Sequence, residues 1–224
     1  MRRASGSLQV GERLRALCCT ASDHTSVVRL NRNEHLYVCG EQASHLYIII
    51  SGRLKTVSVS RSGKECLLGI HTYGDLLGES CLLGGRRGET VTAMTPATLR
   101  KIPRANFLSA LADDGLLEDF LCYLAHRLTE QQQVITSLVT ADSEERLAHT
   151  LLRLARKLGT PKAGKLCIHD KITQEELSGM VGTTRSRVGY FLKRFRDSGL
   201  IESRPDAFLA VDEERLGDYM EAIS

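Results

Sequence analysis

Five basic side chains crowd one short stretch of this 224-residue chain: Arg185, Arg187, Lys193, Arg194 and Arg196, set against the acid Asp197. Spaced along a helix, such cations can neutralise a row of phosphates, and an arginine near the helix start can reach base edges. The surrounding sequence TQEELSGMVGTTRSRVGYFLKRF (173–195) supplies that helix and a partner for it. Thr173, with Glu176 three residues on, forms a capping box. Leu177, Met180 and Val181 give the first helix an apolar stripe, and Gly182 sits where the turn needs a positive φ. Thr183 or Thr184 caps the second helix, whose Val188, Phe191, Leu192 and Phe195 fall at i, i+3, i+4 and i+7. The opposite face centres on Ser186, Tyr190 and Lys193, flanked by Arg185 and Arg187 near the N-terminus. An ordinary helical hairpin would mix charge signs on its outer face. This pattern predicts a helix–turn–helix that binds DNA.

No other constellation competes with it. Ser–His–Asp sets, metal ligands and paired carboxylates at usable spacing are missing from the sequence, so an enzyme is not expected. The seven cysteines (18, 19, 39, 66, 81, 122 and 167) are odd in number and form no C-x2-C pair. They suggest a reducing cytosol and leave zinc and iron–sulfur readings weak. The histidines are dispersed, and none is marked out as a haem ligand. The net charge of +3 is too small to indicate a nucleic-acid partner by itself. Residues 141–224 balance 14 Lys+Arg with 14 Asp+Glu, yet 182–204 hold six basic and two acidic side chains. Placement, not total, makes the basic patch. Apolar residues at 42% and charged residues at 25% describe a soluble globular protein. No run approaches the ~18 apolar residues of a membrane span. The start, MRRASGSLQVGERL, lacks the apolar stretch of a secretory signal, so a cytoplasmic location is expected.

The elements that must position the helix–turn–helix follow from the rest of the chain. Residues 1–24, with Leu8, Leu14 and Leu17, could form a short helix or arm. From Thr25 to Ile102 come short apolar runs: VVRL (27–30), HLYVC (35–39), HLYIII (45–50), LKTVSVS (54–60), ECLLGI (65–70), TVTAM (90–94) and ATLRKI (97–102). Nine of the chain's 19 glycines lie between Gly40 and Gly88, which excludes a long helix there and fits a β-barrel or jelly roll. Pro103 suits the first turn of a helix over Arg104–Ala112. After Asp113-Asp114-Gly115, a stretch to Thr140 without proline or glycine carries Leu117, Leu121, Leu124, Leu128, Gln131, Ile135 and Leu138 in alternating steps of four and three. That is a heptad seam. Leu116, Phe120, Tyr123 and Val134 form a second stripe, expected to pack against the β domain. Two apolar faces on one helix predict a homodimer through a parallel coiled coil. Gln131, the polar member of the seam, could fix register or reach a ligand between two helices. Asp142-Ser-Glu-Glu145 is a further capping box that starts a helix over Glu144–Leu158 and marks a hinge. Gly159–Gly164 reads as a loop, 200–203 and 207–211 as a wing hairpin around Arg204-Pro-Asp206, and Asp212–Ala222 as a final helix.

This order, with the motifs TQEELSGMVGTTRSRVGYFLKRF and GDLLGES…RRGETVTAM, resembles the Crp/Fnr superfamily of bacterial transcription regulators over about 25–224. The fold class expected is α+β: an N-terminal β-roll of jelly-roll type, a long dimerisation helix and a C-terminal winged helix–turn–helix. The domains are then an N-terminal segment (1–24), a cyclic-nucleotide-binding-like β-roll (25–105), helices including the dimer helix (106–141) and the DNA-binding domain (142–224). The resemblance implies a cyclic nucleotide, cAMP or cGMP, in the β-roll. Gly74 and Asp75 would shape the entering turn, and the Gly78 backbone would approach the nucleotide. Glu79 would accept from the ribose 2′-OH, and Arg87 would pair with the cyclic phosphate. It implies base contacts from Arg185, Ser186 and Tyr190; Lys193, Arg194 and Arg204 are expected mainly at phosphates, and Thr184 and Arg187 complete the expected DNA-binding set. It also implies homodimerisation through Leu117, Leu121, Leu124, Leu128, Ile135 and Leu138, and RNA polymerase as a further partner.

The chain departs from the family pattern in three places. Gly88 stands where cAMP-responsive members carry Ser or Thr, Gln131-Gln132 stand in place of Thr-Ser, and the loop between Glu79 and Arg87 is shorter. The glutamine amides can donate to and accept from a purine instead. Three other readings stay open at this level. One is an effector-independent regulator in which Glu79 and Arg87 form a structural ion pair. Another is a regulator of the same type using haem, a redox signal or another ligand. The last, from a different class, is a cyclic-nucleotide buffer or regulatory module acting through protein contacts.

Overall fold

The computed structural model describes residues 26–60, 63, 65–113 and 115–223. The expected N-terminal arm, with Leu8, Leu14, Leu17 and the Cys18-Cys19 pair, lies outside them. The chain divides into two compact units, Met1–Gln132 and Gln133–Ser224.

In the first unit, eight strands form two antiparallel sheets. One is ordered β1 (Ser26–Leu30), β8 (Ala97–Pro103), β3 (His45–Ser51), β6 (Leu76–Leu77); the other is β2 (His35–Tyr37), β7 (Thr90–Ala93), β4 (Leu54–Val59), β5 (Glu65–His71). Alternation along β3 explains the sandwich. Tyr47 and Ile49 point into a core shared with Tyr37, Leu54, Val91 and Leu99 from both sheets. Leu46 and Ile48 point the other way, into a cluster with Phe107, Leu111, Leu116 and Phe120. A strand buried on both faces reads as an unbroken apolar run, and HLYIII does.

The second cluster belongs to helices α1 (Arg104–Asp113) and α2 (Leu117–Thr140). Leu116, Phe120 and Tyr123 of the second stripe pack there as expected, and Phe107 meets Phe120 edge-on at 5.2 Å. Val134 is half-buried and is not part of this cluster; it follows Gln132, where the first unit ends. On the seam, Leu117, Leu121, Leu128, Ile135 and Leu138 are all exposed, between 46% and 61%. Leu124 differs. It is partly buried against the first unit's own helical cluster, because that cluster reaches round the helix at this turn.

The second unit holds α3 (Ser143–Leu158), α4 (Gln174–Val181), α5 (Arg185–Asp197) and α6 (Glu213–Ile223). They pack with a sheet ordered β11 (Ile201–Arg204), β12 (Ala207–Val211), β10 (Lys165–Ile168), β9 (Thr160–Lys162). Asp142 caps α3, its carboxylate accepting from the backbone of Glu144 and Glu145. The wing hairpin forms as expected. The expected loop at 159–164 does not: Lys162 pairs with Lys165 across a two-residue turn in which Ala163 and Gly164 both have positive φ, 49° and 75°. This primed turn suits the twist of a tight hairpin. β9 is a fully exposed, three-residue edge strand containing Pro161, so it carries no alternating pattern to read. None of the helices among the described residues is long and apolar enough to cross a membrane.

Candidate functional site

The reading head is built by caps. Thr173 Oγ1 accepts from the Glu176 backbone at 3.1 Å while Glu176 Oε2 accepts from the Thr173 backbone at 2.9 Å, so α4 starts there. It ends at Gly182, which is left-handed at φ 69° and gives its N–H to Ser178. Thr184, not Thr183, caps α5, its hydroxyl accepting from the Arg187 backbone at 3.3 Å. Val188, Phe191, Leu192 and Phe195 are buried, which leaves Arg185, Ser186, Arg187, Tyr190 and Lys193 exposed on one surface. Tyr190 stands 64% exposed, an aromatic with one ring edge on Phe191 at 5.6 Å and the rest free for a base or a methyl group. Beside Arg185 runs a groove of ≈ 490 Å³ in which Lys171 and Arg196 stand near buried Ile172 and Leu192. Arg196 belongs to the basic cluster read from sequence but not to the expected DNA contacts, and Lys171 belongs to neither. Lys171 precedes the motif, and the meaning of Arg196 depends on how α4 crosses α5.

Two of the expected phosphate-binding arginines are placed differently from the others. Arg194 donates to Glu144 of α3 at 2.9 Å. Arg204 donates to Glu202 at 3.2 and 3.3 Å and lies 3.8 Å from the Cys167 sulfur. Glu202 also takes Lys165, and Lys162 pairs with Asp206 at 2.5 Å, so both carboxylates of the wing are engaged by cations, Arg204 among them. Sequence counting put Arg194 in the basic patch because it could not see a carboxylate arriving from α3; for Arg204 it counted Glu202 but not that the two, on one strand, would pair.

In the β-roll, the turn expected to approach a phosphate is made by Gly78, at φ 84°, followed by a short 3₁₀ helix over Glu79–Leu83. A Cβ on Gly78 would lie 2.6 Å from Arg87 Nη1 and 3.0 Å from the His45 carbonyl oxygen. Glycine is therefore required for the arginine to sit where it does. Arg87 is 3% exposed. Its Nη1 donates to the Gly78 carbonyl at 2.9 Å and its Nη2 to the His45 carbonyl at 2.6 Å. The guanidinium lies 4.2 Å from the centre of the Tyr37 ring and 5.8 Å from that of Tyr47. Burial, then the neighbouring Glu89 carboxylate, push the Tyr37 phenol up, and it donates to Glu89 at 3.0 Å.

The Glu79–Arg87 ion pair weighed from sequence does not form. Glu79 instead meets Arg127 of α2 at 3.2 Å and accepts from the Tyr123 hydroxyl at 3.3 Å. Burial works against the Arg127 charge, but Tyr123 and Glu79 beside it hold its pKa above the ordinary value. Burial, then the Glu79 charge, raise the Tyr123 phenol. Arg127 and Tyr123 are thus parts of this site that the sequence reading missed. The signal available was their i, i+4 spacing on the face beside the seam. Gln131 and Gln132 follow one turn later, both exposed, and the bonds of Glu79 and Arg87 go to other residues. A Cβ on Gly88 would meet nothing within 4 Å.

Together, an antiparallel roll enclosing a buried arginine and a capped helix–turn–helix with a wing define a DNA-binding protein with a regulatory β domain. Residues 27–114 match the model of the cyclic nucleotide-binding domain, and 145–219 that of the Crp-like helix-turn-helix domain. The CRP-like cAMP-activated global transcriptional regulator of Mycobacterium tuberculosis is 33% identical over 187 residues, 83% of this chain and 84% of that protein. The cAMP-activated global transcriptional regulator CRP of Pasteurella multocida is 30% identical over 183 residues, 80% of this chain and 87% of its own length. Among solved structures, FixK2 from Bradyrhizobium japonicum superposes with a TM-score of 0.74 at 20% identity, covering 87% of this chain and 96% of that one. The chain belongs to the Crp/Fnr family: it is a DNA-binding transcription regulator with a cyclic nucleotide-binding domain, in a family of regulators rather than enzymes.

Proposed function

We propose that the protein acts in the cytoplasm as a homodimer on a palindromic operator, and that a cyclic mononucleotide, cAMP or cGMP, in the β-roll controls it. One observation carries the effector reading. Arg87 is a buried cation with no carboxylate at ion-pair distance among the described residues, since Glu79 is taken by Arg127 and Glu89 by Tyr37. Backbone carbonyls accept one bond from each terminal nitrogen and the Tyr37 ring lies against the guanidinium, but no carboxylate balances its charge, an arrangement that an anion entering the roll would relieve. Arg87 would face the phosphate, with the Gly78 and Gly88 backbones beside it and Glu79 near the ribose. Gln131 or Gln132 of the dimer helix would touch the base. The exposed leucine ridge of α2 supports the dimer, because apolar side chains at heptad spacing need a partner. Two reading heads related by a dyad match the two halves of a palindrome, and RNA polymerase is the partner through which an operator-bound dimer would act.

A second reading, regulation without an effector, rests on the same arginine, whose terminal nitrogens already have acceptors. Calorimetry with cAMP and cGMP, using Arg87→Ala as the control, separates the two. Heat with the wild type and none with the variant supports the nucleotide. No heat and no melting shift at millimolar ligand, with operator binding intact, supports the effector-independent regulator.

A further inference from the structure

Glu144 stands in the first turn of α3, two residues past the capping Asp142, with its side chain 12% exposed. Both its oxygens are occupied. One accepts from Arg194 of α5 at 2.9 Å, the other from the Tyr219 hydroxyl of α6 at 2.6 Å. The Tyr219 ring lies edge-on to Phe195, a fully buried residue of α5, at 5.6 Å. Burial, then the bond to Glu144, push the Tyr219 phenol up to about 12, so it remains a donor at neutral pH. Arg146, in the same turn of α3, donates to the Val181 carbonyl at the end of α4 and to the Ala141 carbonyl just past α2, each at 2.8 Å. One helical turn therefore touches both helices of the reading head, the last helix and the end of the long helix.

The charges suit their places. A carboxylate at the start of α3 and an arginine in the last turn of α5 both complement their helix dipoles. The low exposure of Glu144 strengthens its pairing beyond that of a surface ion pair. A phosphate approaching Arg194 would meet the Glu144 charge at the same guanidinium.

We infer that Glu144 is a positioning residue for DNA recognition: with Arg194 and Tyr219 it clamps α5 to the first turn of α3. Arg194 then sets the angle at which α5 presents Arg185, Ser186 and Tyr190, and does not neutralise a phosphate.

The test uses the full chain, a duplex selected from a random pool by the wild type, and a random-sequence duplex, each across a salt series. Arg194→Ala should lower affinity for the selected duplex about tenfold. It should leave the random duplex and the salt slope unchanged. Glu144→Ala should give the same loss, and the double variant no more than either single one. Arg194→Lys, which can still reach the carboxylate, should recover most of the affinity. Arg194 is half-exposed, so Arg194→Ala decides the matter alone if Glu144→Ala melts early. The inference is overturned if Arg194→Ala weakens both duplexes equally and reduces the salt slope by about one, with Glu144→Ala binding both more tightly. Arg194 would then be a phosphate contact that Glu144 masks. Unchanged selected-duplex binding in every variant overturns it as well.

Discussion

Arg127 places Nη1 3.2 Å from Oε1 of Glu79, tying the long helix to the turn that follows Gly78. The glutamate that the family pattern would set beside Arg87 is thus held by a different arginine. Neither partner is more than a third exposed, so the pair lies in a medium less polar than water. Arg127→Ala should cost about 2 kcal/mol of first-unit stability, because it leaves Glu79 and Tyr123 short of a donor. Urea denaturation followed by tyrosine fluorescence would measure it. A loss below a few tenths would mean that the pair is solvated.

Gly78 and Gly88 should behave oppositely. Gly78→Ala adds a Cβ 2.6 Å from Arg87 Nη1 at φ 84°, and should destabilise by about 1–3 kcal/mol. Gly88→Ala enters open space and should stay within about 0.5 kcal/mol. Equal melting points for the two variants would contradict the placement of Arg87.

Leu128 and Ile135 are 57% and 61% exposed, so a charge at either should leave the protomer folded. In a dimer seam, Leu128→Glu sets two like charges in an apolar interface at a cost of several kcal/mol, by order of magnitude. Sedimentation should then show folded monomers. Leu124→Glu is the less diagnostic variant, since Leu124 also packs within its own chain. A stable dimer of Leu128→Glu would place the interface elsewhere.

Arg185 and Lys193 should separate base reading from backbone binding. Arg185→Ala should cost about 1–3 kcal/mol on the selected operator and relax preference at one base pair per half-site. Lys193→Ala should weaken operator and random duplex alike and lessen the salt slope by about one for each phosphate no longer neutralised. Selection of binding sites from a random pool by each variant reads both effects; an unaltered base preference in Arg185→Ala would show that another residue reads it.

The wing should respond to acid. The hydrogen bond from Lys165 holds Glu202 below its ordinary 4.5, and that from Lys162 holds Asp206 below 3.8. Depressed carboxylates favour the folded wing fully above those ordinary values, and this contribution disappears as pH falls through the lowered ones. Carboxyl carbon NMR titration should find both groups titrating low, and Lys162→Ala should return Asp206, not Glu202, toward 3.8. Unmoved Asp206 would remove Lys162 as the cause.

Local physics made much of this protein legible from sequence. The capping box at Thr173–Glu176, the left-handed Gly182 and the apolar spacing of Val188 to Phe195 depend on neighbours within one or two turns, and the structure has all of them. The same holds for seven of the β-roll strands and the exposed seam, because a period of two or of 3.5 is written into the order of side chains. Tertiary structure alone decided how charges are partnered. Glu144 meets an arginine 50 positions away, Tyr123 reaches a carboxylate 44 positions away, and Glu79 takes Arg127 and leaves Arg87 to backbone carbonyls. A charge count along the chain cannot show this, since an ion pair depends on distance in space and on the water excluded around it, and both are set only once the strands and helices have packed.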